Sequence, residues 1–251
     1  MAVALQPQLI SLSVVSHGQA GLLQHLLDDL LKLPQPERFE LILTRNIPEV
    51  WPFEIDRLPF SVKVIENSQP KGFGANHNAA FRAAAGDWFC VLNPDVLLPE
   101  DPFPELLNSL HQAGAALAAP VVFNSAGNRE DSARAFPTLS SLATKALGRD
   151  GAVYSSDPQN DGSPDWLAGM FLLFRSADFA KIGGFDEGFY LYYEDVDICA
   201  RLRKAGFKLV LCSGAKVIHD AQRSSHHNWR YRYWHLASML RYFLKHWWRL
   251  P

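Results

Sequence analysis

Cysteine is scarce in this sequence: Cys90, Cys199 and Cys212 are widely spaced, odd in number and form no CxxC pair. That excludes a disulfide framework and offers no zinc-ligand spacing, so the three read as buried thiols of a reducing compartment. Charge of one sign is missing too. A formal net charge of -2 sets up no global field for nucleic acid, and any polyanion affinity must rest on a local patch. No apolar run reaches the length of a membrane span. Asp, Glu, Lys and Arg are all absent from Met1 to Leu27, which invites a signal-peptide reading. The basic start is lacking, however, and Gln6, Pro7, Gln8, Ser11, Ser13, Ser16, His17 and Gly18 interrupt any apolar core. A first strand, turn and helix are expected there instead.

What is present is globular: 251 residues, 48% hydrophobic and 20% charged, enough for one large α/β domain or two small ones. Leu9–Val15, Phe39–Leu43, Val62–Ile65, Trp88–Leu92 and Ala115–Phe123 read as strands. Between them lie helical patterns: Leu22 to Leu31, Ala75–Ala85 with Gly86 as its C-terminal cap, and a helix opened by Asp101-Pro102. Alternation of this kind implies a mostly parallel sheet, with ligands beyond the carboxyl ends of its strands. Asn124–Pro164 is rich in Ser, Gly, Asn, Asp and Pro, and stays open as either a surface excursion or a lid.

Several segments carry chemistry. Asn93-Pro94-Asp95 closes the strand Trp88–Leu92; it is a favoured turn, and also a strand-end carboxylate of the hard oxygen type that Mg²⁺ or Mn²⁺ takes. Asn67 to Asn78 is a glycine-bearing loop opening a helix. Gly72 and Gly74 permit close backbone approach, and the helix N-terminus favours an anion such as a diphosphate. Glu194, Asp195 and Asp197 head a second helix, where carboxylates cap and complement the dipole. The same dipole favours the ionised state that a general base needs. Trp166–Arg175 reads as one apolar strand in which Gly169 leaves room for a ligand. Trp166 and the aromatics Phe189 to Tyr193 suit stacking on sugar faces, while Phe171 and Phe174 suit the core. Beyond His219, the groups Arg223, Ser224, His226 and His227 are candidates for phosphate contact. Asn228–Arg249 repeats apolar residues at helical spacing among Arg and Lys. It fits a helix at lipid headgroups, one packed on the domain, or a dimer contact.

In combination these motifs resemble the family 2 glycosyltransferases, most closely the rhamnosyltransferase-like branch, from about Leu9 to His219. The resemblance implies a single GT-A-like α/β domain, a mostly parallel sheet flanked by helices, over residues 1–220. Residues 1–123 would form its nucleotide-sugar half and 124–220 its acceptor and catalytic half, with 221–251 an amphipathic aromatic and basic helix. By position in the family's motifs, Lys71, Gly72, Gly74 and Asn78 line the donor site with Ser16, Asn46 and Asn93. Asp95 would hold Mg²⁺ or Mn²⁺, helped by His219 of the Val-x-His segment. Asp195 would be the base, with Glu194 next in line, and Trp166, Gly169, Tyr193 and Asp197 would face the acceptor. Three places depart from the family. His77 stands for an Asn, Ser16-His17 for Tyr-Asn, and Leu43 to Glu49 for the Asp-Asn-x-Ser-x-Asp segment whose acidic groups help read the base.

The expectation is an inverting, metal-dependent enzyme using a dTDP- or UDP-sugar, rhamnose leading by resemblance alone. Its acceptor would be a saccharide or lipid-linked saccharide in surface polysaccharide synthesis. A cytoplasmic location with peripheral contact at the inner membrane face is expected, and a homodimer stays open. The alternative is a degenerate member that binds sugar nucleotide or glycan without turnover. The altered Ser16-His17 and Thr44-Arg45-Asn46 segments favour it; Asn93-Pro94-Asp95 and Glu194-Asp195 oppose it.

Overall fold

In the computed structural model, residues 8–138, 164–220 and 229–246 are described. Most of the 124–164 excursion, the groups Arg223, Ser224, His226 and His227, and the two tryptophans after His246 lie outside them. Strands β1 (Ile10–Ser16), β2 (Phe39–Arg45), β3 (Ser61–Glu66), β4 (Trp88–Leu92) and β5 (Leu117–Phe123) come first, with helices α1 (Ala20–Lys32), α2 (Phe73–Ala83) and α3 (Phe103–Ala113) between them. Short β6 (Ala133–Arg134) and β7 (Trp166–Leu167) pair as a separate ribbon. Then follow β8 (Phe171–Arg175), α4 (Ser176–Lys181), α5 (Glu194–Lys204), β9 (Leu209–Ile218) and α6 (Trp229–His246).

Seven strands form one sheet in the order β3-β2-β1-β4-β8-β5-β9. All pairings are parallel except those of β8, which runs antiparallel to β4 and β5. Both faces are buried, and the period-2 pattern assigns side chains to each. Trp88, Cys90 and Leu92 join Leu23, Leu26, Leu27 and Leu30 of α1 and Phe103, Leu106 and Leu110 of α3 in one core. Phe89 and Val91 join Phe179, Ile198, Leu202 and Tyr242 in the other. Each such leucine contributes about 1.5–3 kcal/mol of hydrophobic burial, which overrides the weak propensity of any one residue.

Two local expectations need correction. The apolar run Trp166–Arg175 is not one strand but β7 and β8, separated by Ala168 to Met170. Gly86 does not cap α2, which ends at Ala83 with Ala84 extended. Its N–H instead donates to Ser11 Oγ (2.9 Å) and Glu40 Oε1 (3.1 Å), and a Cβ there would stand 2.6 Å from the Leu9 carbonyl. Close approach to the head of β1 is what demands the glycine.

Candidate active site

The carboxyl ends of the parallel strands form one edge, and the strands there are tied by their own backbone. Asn46 N–H, just past β2, donates to the Ser16 carbonyl at the end of β1 (2.9 Å). Asn93 N–H, after β4, donates to the Met170 carbonyl (2.9 Å), which brings the turn before β8 to the same edge.

Asp95 and His219, about 120 positions apart in the chain, meet there. Leu97 and Ile218 exchange backbone hydrogen bonds (2.8 and 3.0 Å), and His219 N–H donates to the Phe123 carbonyl (2.8 Å). These bonds fix His219 Nε2 3.2 Å from Asp95 Oδ1, with the side chains 9% and 16% exposed. The pair is not aligned as a hydrogen bond. Asp95 Oδ1 and His219 Nδ1 are both buried and lack a hydrogen-bond partner. Buried polar atoms left unpaired are costly, and a carboxylate beside an imidazole is a usual donor set for a divalent cation. Among the described residues no third His, Cys, Asp or Glu joins them. The residues present fit a cation whose remaining positions are filled from outside the protein.

Asp195 stands at the other side of the edge, half-buried at the head of α5. Its Oδ2 accepts the Gly169 N–H (3.0 Å) and its Oδ1 accepts its neighbour's, that of Val196 (2.8 Å). Burial raises its pKa above the ordinary value, against the lowering effect of these bonds. Desolvation thus opposes the ionised state that the helix dipole favours. Glu194 is buried, with Oε2 unpartnered, and both burial and the Asp195 charge push its pKa well above the carboxylate range. Just before them, Tyr192 (φ 70°) and Tyr193 (φ 66°) are both left-handed. Two consecutive non-glycine residues in that region are strained, and such strain gathers at functional sites. Burial pushes the Tyr193 hydroxyl up to about 12.

Other expected site residues turn inward. Asn46 is saturated: its amide nitrogen lies 3.1 Å from His17 Nδ1 and donates to the Lys71 carbonyl (3.0 Å), and its oxygen accepts from Asn67 (2.9 Å) and the Lys71 N–H (2.8 Å). Asn78 donates to the Phe185 carbonyl and accepts its N–H, both at 2.9 Å, clamping the Gly183-Gly184-Phe185 turn. A Cβ on Gly72 would stand 2.5 Å from the Tyr190 carbonyl, and one on Gly74 2.7 Å from Phe185 Cβ. Both glycines thus accommodate a close approach of the chain itself. Phe73 N–H at the start of α2 already donates to Tyr190 O (2.9 Å). Gly169 faces Phe73 and Asp195, and Trp166 Nε1–H donates to the Ala135 carbonyl (3.0 Å). Asp197 does not reach the edge at all. It is fully buried and bound by Arg201 (2.7 Å), Lys245 (2.7 Å) and His246 (2.9 Å). Ser16 is buried with its Oγ unpartnered, Asn93 is half-buried, and the Lys71 side chain is exposed.

Sequence reasoning missed three participants. Asn67 and Asn76 complete the Asn46 knot, through Asn67 to Asn76 Oδ1 (2.7 Å). His77 is the third: it lies wholly buried with Nδ1 2.7 Å from Ser13 Oγ, and burial drops its pKa to about 3, so it is neutral. The repeated asparagines bounding the loop were the available signal for the knot.

A family model described as "Glycosyl transferase family 2" matches residues 11–178, two thirds of the chain. The chain belongs to glycosyl transferase family 2. A second model, "N-terminal domain of galactosyltransferase", matches residues 155–228. Among curated relatives, the chain is similar to rhamnosyltransferase WbbL of Escherichia coli (strain K12), 28% identical over 246 residues, 93% of this chain and 92% of that one. It is also similar to the N-acetylglucosaminyl-diphospho-decaprenol L-rhamnosyltransferase of Mycobacterium tuberculosis, 32% identical over 151 residues, 55% of this chain and 48% of the relative. Solved structures show the GT-A fold. The Pyrobaculum calidifontis mannosyltransferase PcManGT, in complex with GDP-Man and Mn²⁺, superposes with TM-score 0.67 at 15% identity over 97% of this chain and 67% of its own. GalNAc-T7 with UDP, GalNAc and Mn²⁺ gives 0.64 at 16% identity, over 84% and 43%.

Proposed function

We propose that this family member is an inverting glycosyltransferase moving a sugar from a nucleoside-diphosphate donor to a hydroxyl of a saccharide or lipid-linked saccharide. The observation that carries the reading is the pairing of two sites on one sheet edge. Asp95 with His219 forms one, and Asp195, held by Gly169 and raised in pKa, forms the other. A divalent cation, Mg²⁺ or Mn²⁺, would be held by Asp95 and His219, where its charge would offset that of a departing diphosphate. Asp195 accepts the proton of the attacking hydroxyl; burial raises its pKa, which makes it a stronger base than an ordinary aspartate. Glu194 is the weaker candidate, because it is buried and its ionised form is opposed by its neighbour. Asn46 supports the donor loop from beneath rather than reading a base directly. The names of the two relatives make an activated rhamnose the first donor to try and a polyprenyl-diphosphate-linked saccharide the first acceptor.

Calorimetry with dTDP, UDP and GDP, each with and without Mn²⁺, tests the donor side. A pyrimidine diphosphate should bind best, tightened by Mn²⁺, with that gain lost in Asp95→Ala. Equal binding after chelation would refute a metal-assisted site. Donor binding without turnover on any lipid-linked or free saccharide would favour the non-catalytic alternative.

A further inference from the structure

The inner and outer faces of α6 differ sharply. Inward, Tyr242 is fully buried, Ser238 Oγ donates to the Leu191 carbonyl (2.9 Å), and His246 Nε2 lies 2.9 Å from Asp197 Oδ1. The helix is therefore fixed in rotation on the segment that carries Asp195. Outward, Trp229, Tyr233, Leu236, Leu240 and Leu244 are 58–77% exposed. They are half of the large hydrophobic side chains exposed among the described residues, and at 100° per residue they share one stripe. The stripe runs about 22 Å along the helix. Arg230 borders it on one side and Arg232 on the other. Residues 221–251 hold six Arg and Lys and no Asp or Glu, whereas the rest of the chain has a carboxylate excess.

We propose that this outer face of α6 docks on an anionic lipid bilayer, the helix lying in the plane of the headgroups. Charge decides the occupant. A second copy pairing through the same stripe would set cationic borders against each other, with no carboxylate on the helix to match them. Anionic headgroups match both borders while the leucines enter the acyl boundary, and Trp229 and Tyr233 suit the interface. No helix among the described residues is long and apolar enough to cross a membrane, so α6 lies on the bilayer rather than through it. This inference rests on the helix alone and stands or falls separately from the catalytic reading.

The full chain should co-sediment at low salt with phosphatidylcholine vesicles containing phosphatidylglycerol, and weakly or not at all with phosphatidylcholine alone. High salt should release it. The double variant Leu236→Glu/Leu240→Glu should lower association at least about tenfold with an unchanged melting curve, because both side chains are already in water. Leu244→Glu alone provides an independent variant, with a smaller loss in the same direction. Absence of association with the anionic vesicles, or association undiminished in these folded variants, overturns the proposal. So does a dimer in sedimentation velocity that the double variant dissociates while vesicle binding stays absent, since that would assign the stripe to a second copy.

Discussion

Asp195 has two consequences that separate in experiment. Asp195→Asn keeps the shape and the Gly169 contact but cannot take a proton, so turnover should fall roughly 10²–10⁴-fold with donor affinity nearly intact. In the unaltered protein the acid limb of the rate profile should sit above the ordinary aspartate value of 3.8, because burial raises this pKa. Asn46→Ala tests a different role. It strands the Lys71 N–H and one of the two Asn67 amide hydrogens, which should lower stability by about 1–3 kcal/mol, read as a drop in the urea midpoint. Sequence position made Asp95, His219 and Asp195 candidates, and the fold brings Asp95 beside His219 and Asp195 beside Gly169. Asn46 and Asn78 are harder to read. An amide donates and accepts equally well, so its partner can be ligand or backbone, and only the fold decides. Gly72 and Gly74 were open in the same way, since a missing Cβ does not say what fills the space.

At the scale of elements, α5 and α6 act as a pair. Asp197 of α5 meets Arg201 on its own helix but Lys245 and His246 on α6. Removing Arg230 to Pro251 would leave a buried carboxylate with one partner, a change of the kind that costs about 3–5 kcal/mol. That deletion should therefore lower the melting temperature and turnover together, which makes it a poor probe of lipid binding. Titration should show these groups pulling in opposite directions. Asp186, held by Lys245 and Arg241, titrates near pH 2, and Asp197 is likewise lowered. Their stabilisation is full above about pH 4 and disappears as pH falls through the folded values. Asp195 and Glu194 are raised, so stability should decline as pH climbs from about 4 through their folded pKa values, and Asp195→Asn should flatten that decline. Urea midpoints measured across pH check both signs. Trp88–Leu92 was legible to the residue because a fully buried strand bounded by turns has one reading. The break between β7 and β8 was not, since Ala168, Gly169 and Met170 are as apolar as the strands they separate. The inner contacts of α6 were equally hidden, because its partners Asp186, Leu191 and Asp197 lie some fifty positions away.

For the molecule as a whole, linkage offers a test that needs no acceptor. A nucleoside diphosphate with Mn²⁺ at about a hundred times its Kd should stabilise the fold by about 2.7 kcal/mol, and Asp95→Ala should lose most of the Mn²⁺-dependent part of the resulting shift in Tm. The charge layout is also a property of the whole chain: a body rich in carboxylates with a cationic helix at one end has a permanent direction in any field. Finally, the clamp on Asp197 orders events in time. A chain leaves the ribosome from its N-terminus at about 5–20 residues per second, and His246 follows Asp197 by 49 positions. For some seconds the nascent protein can own its sheet while Asp197 of α5 still waits for two of its partners. The clamp therefore closes only once α6 has been made, after β9 at the edge of the sheet.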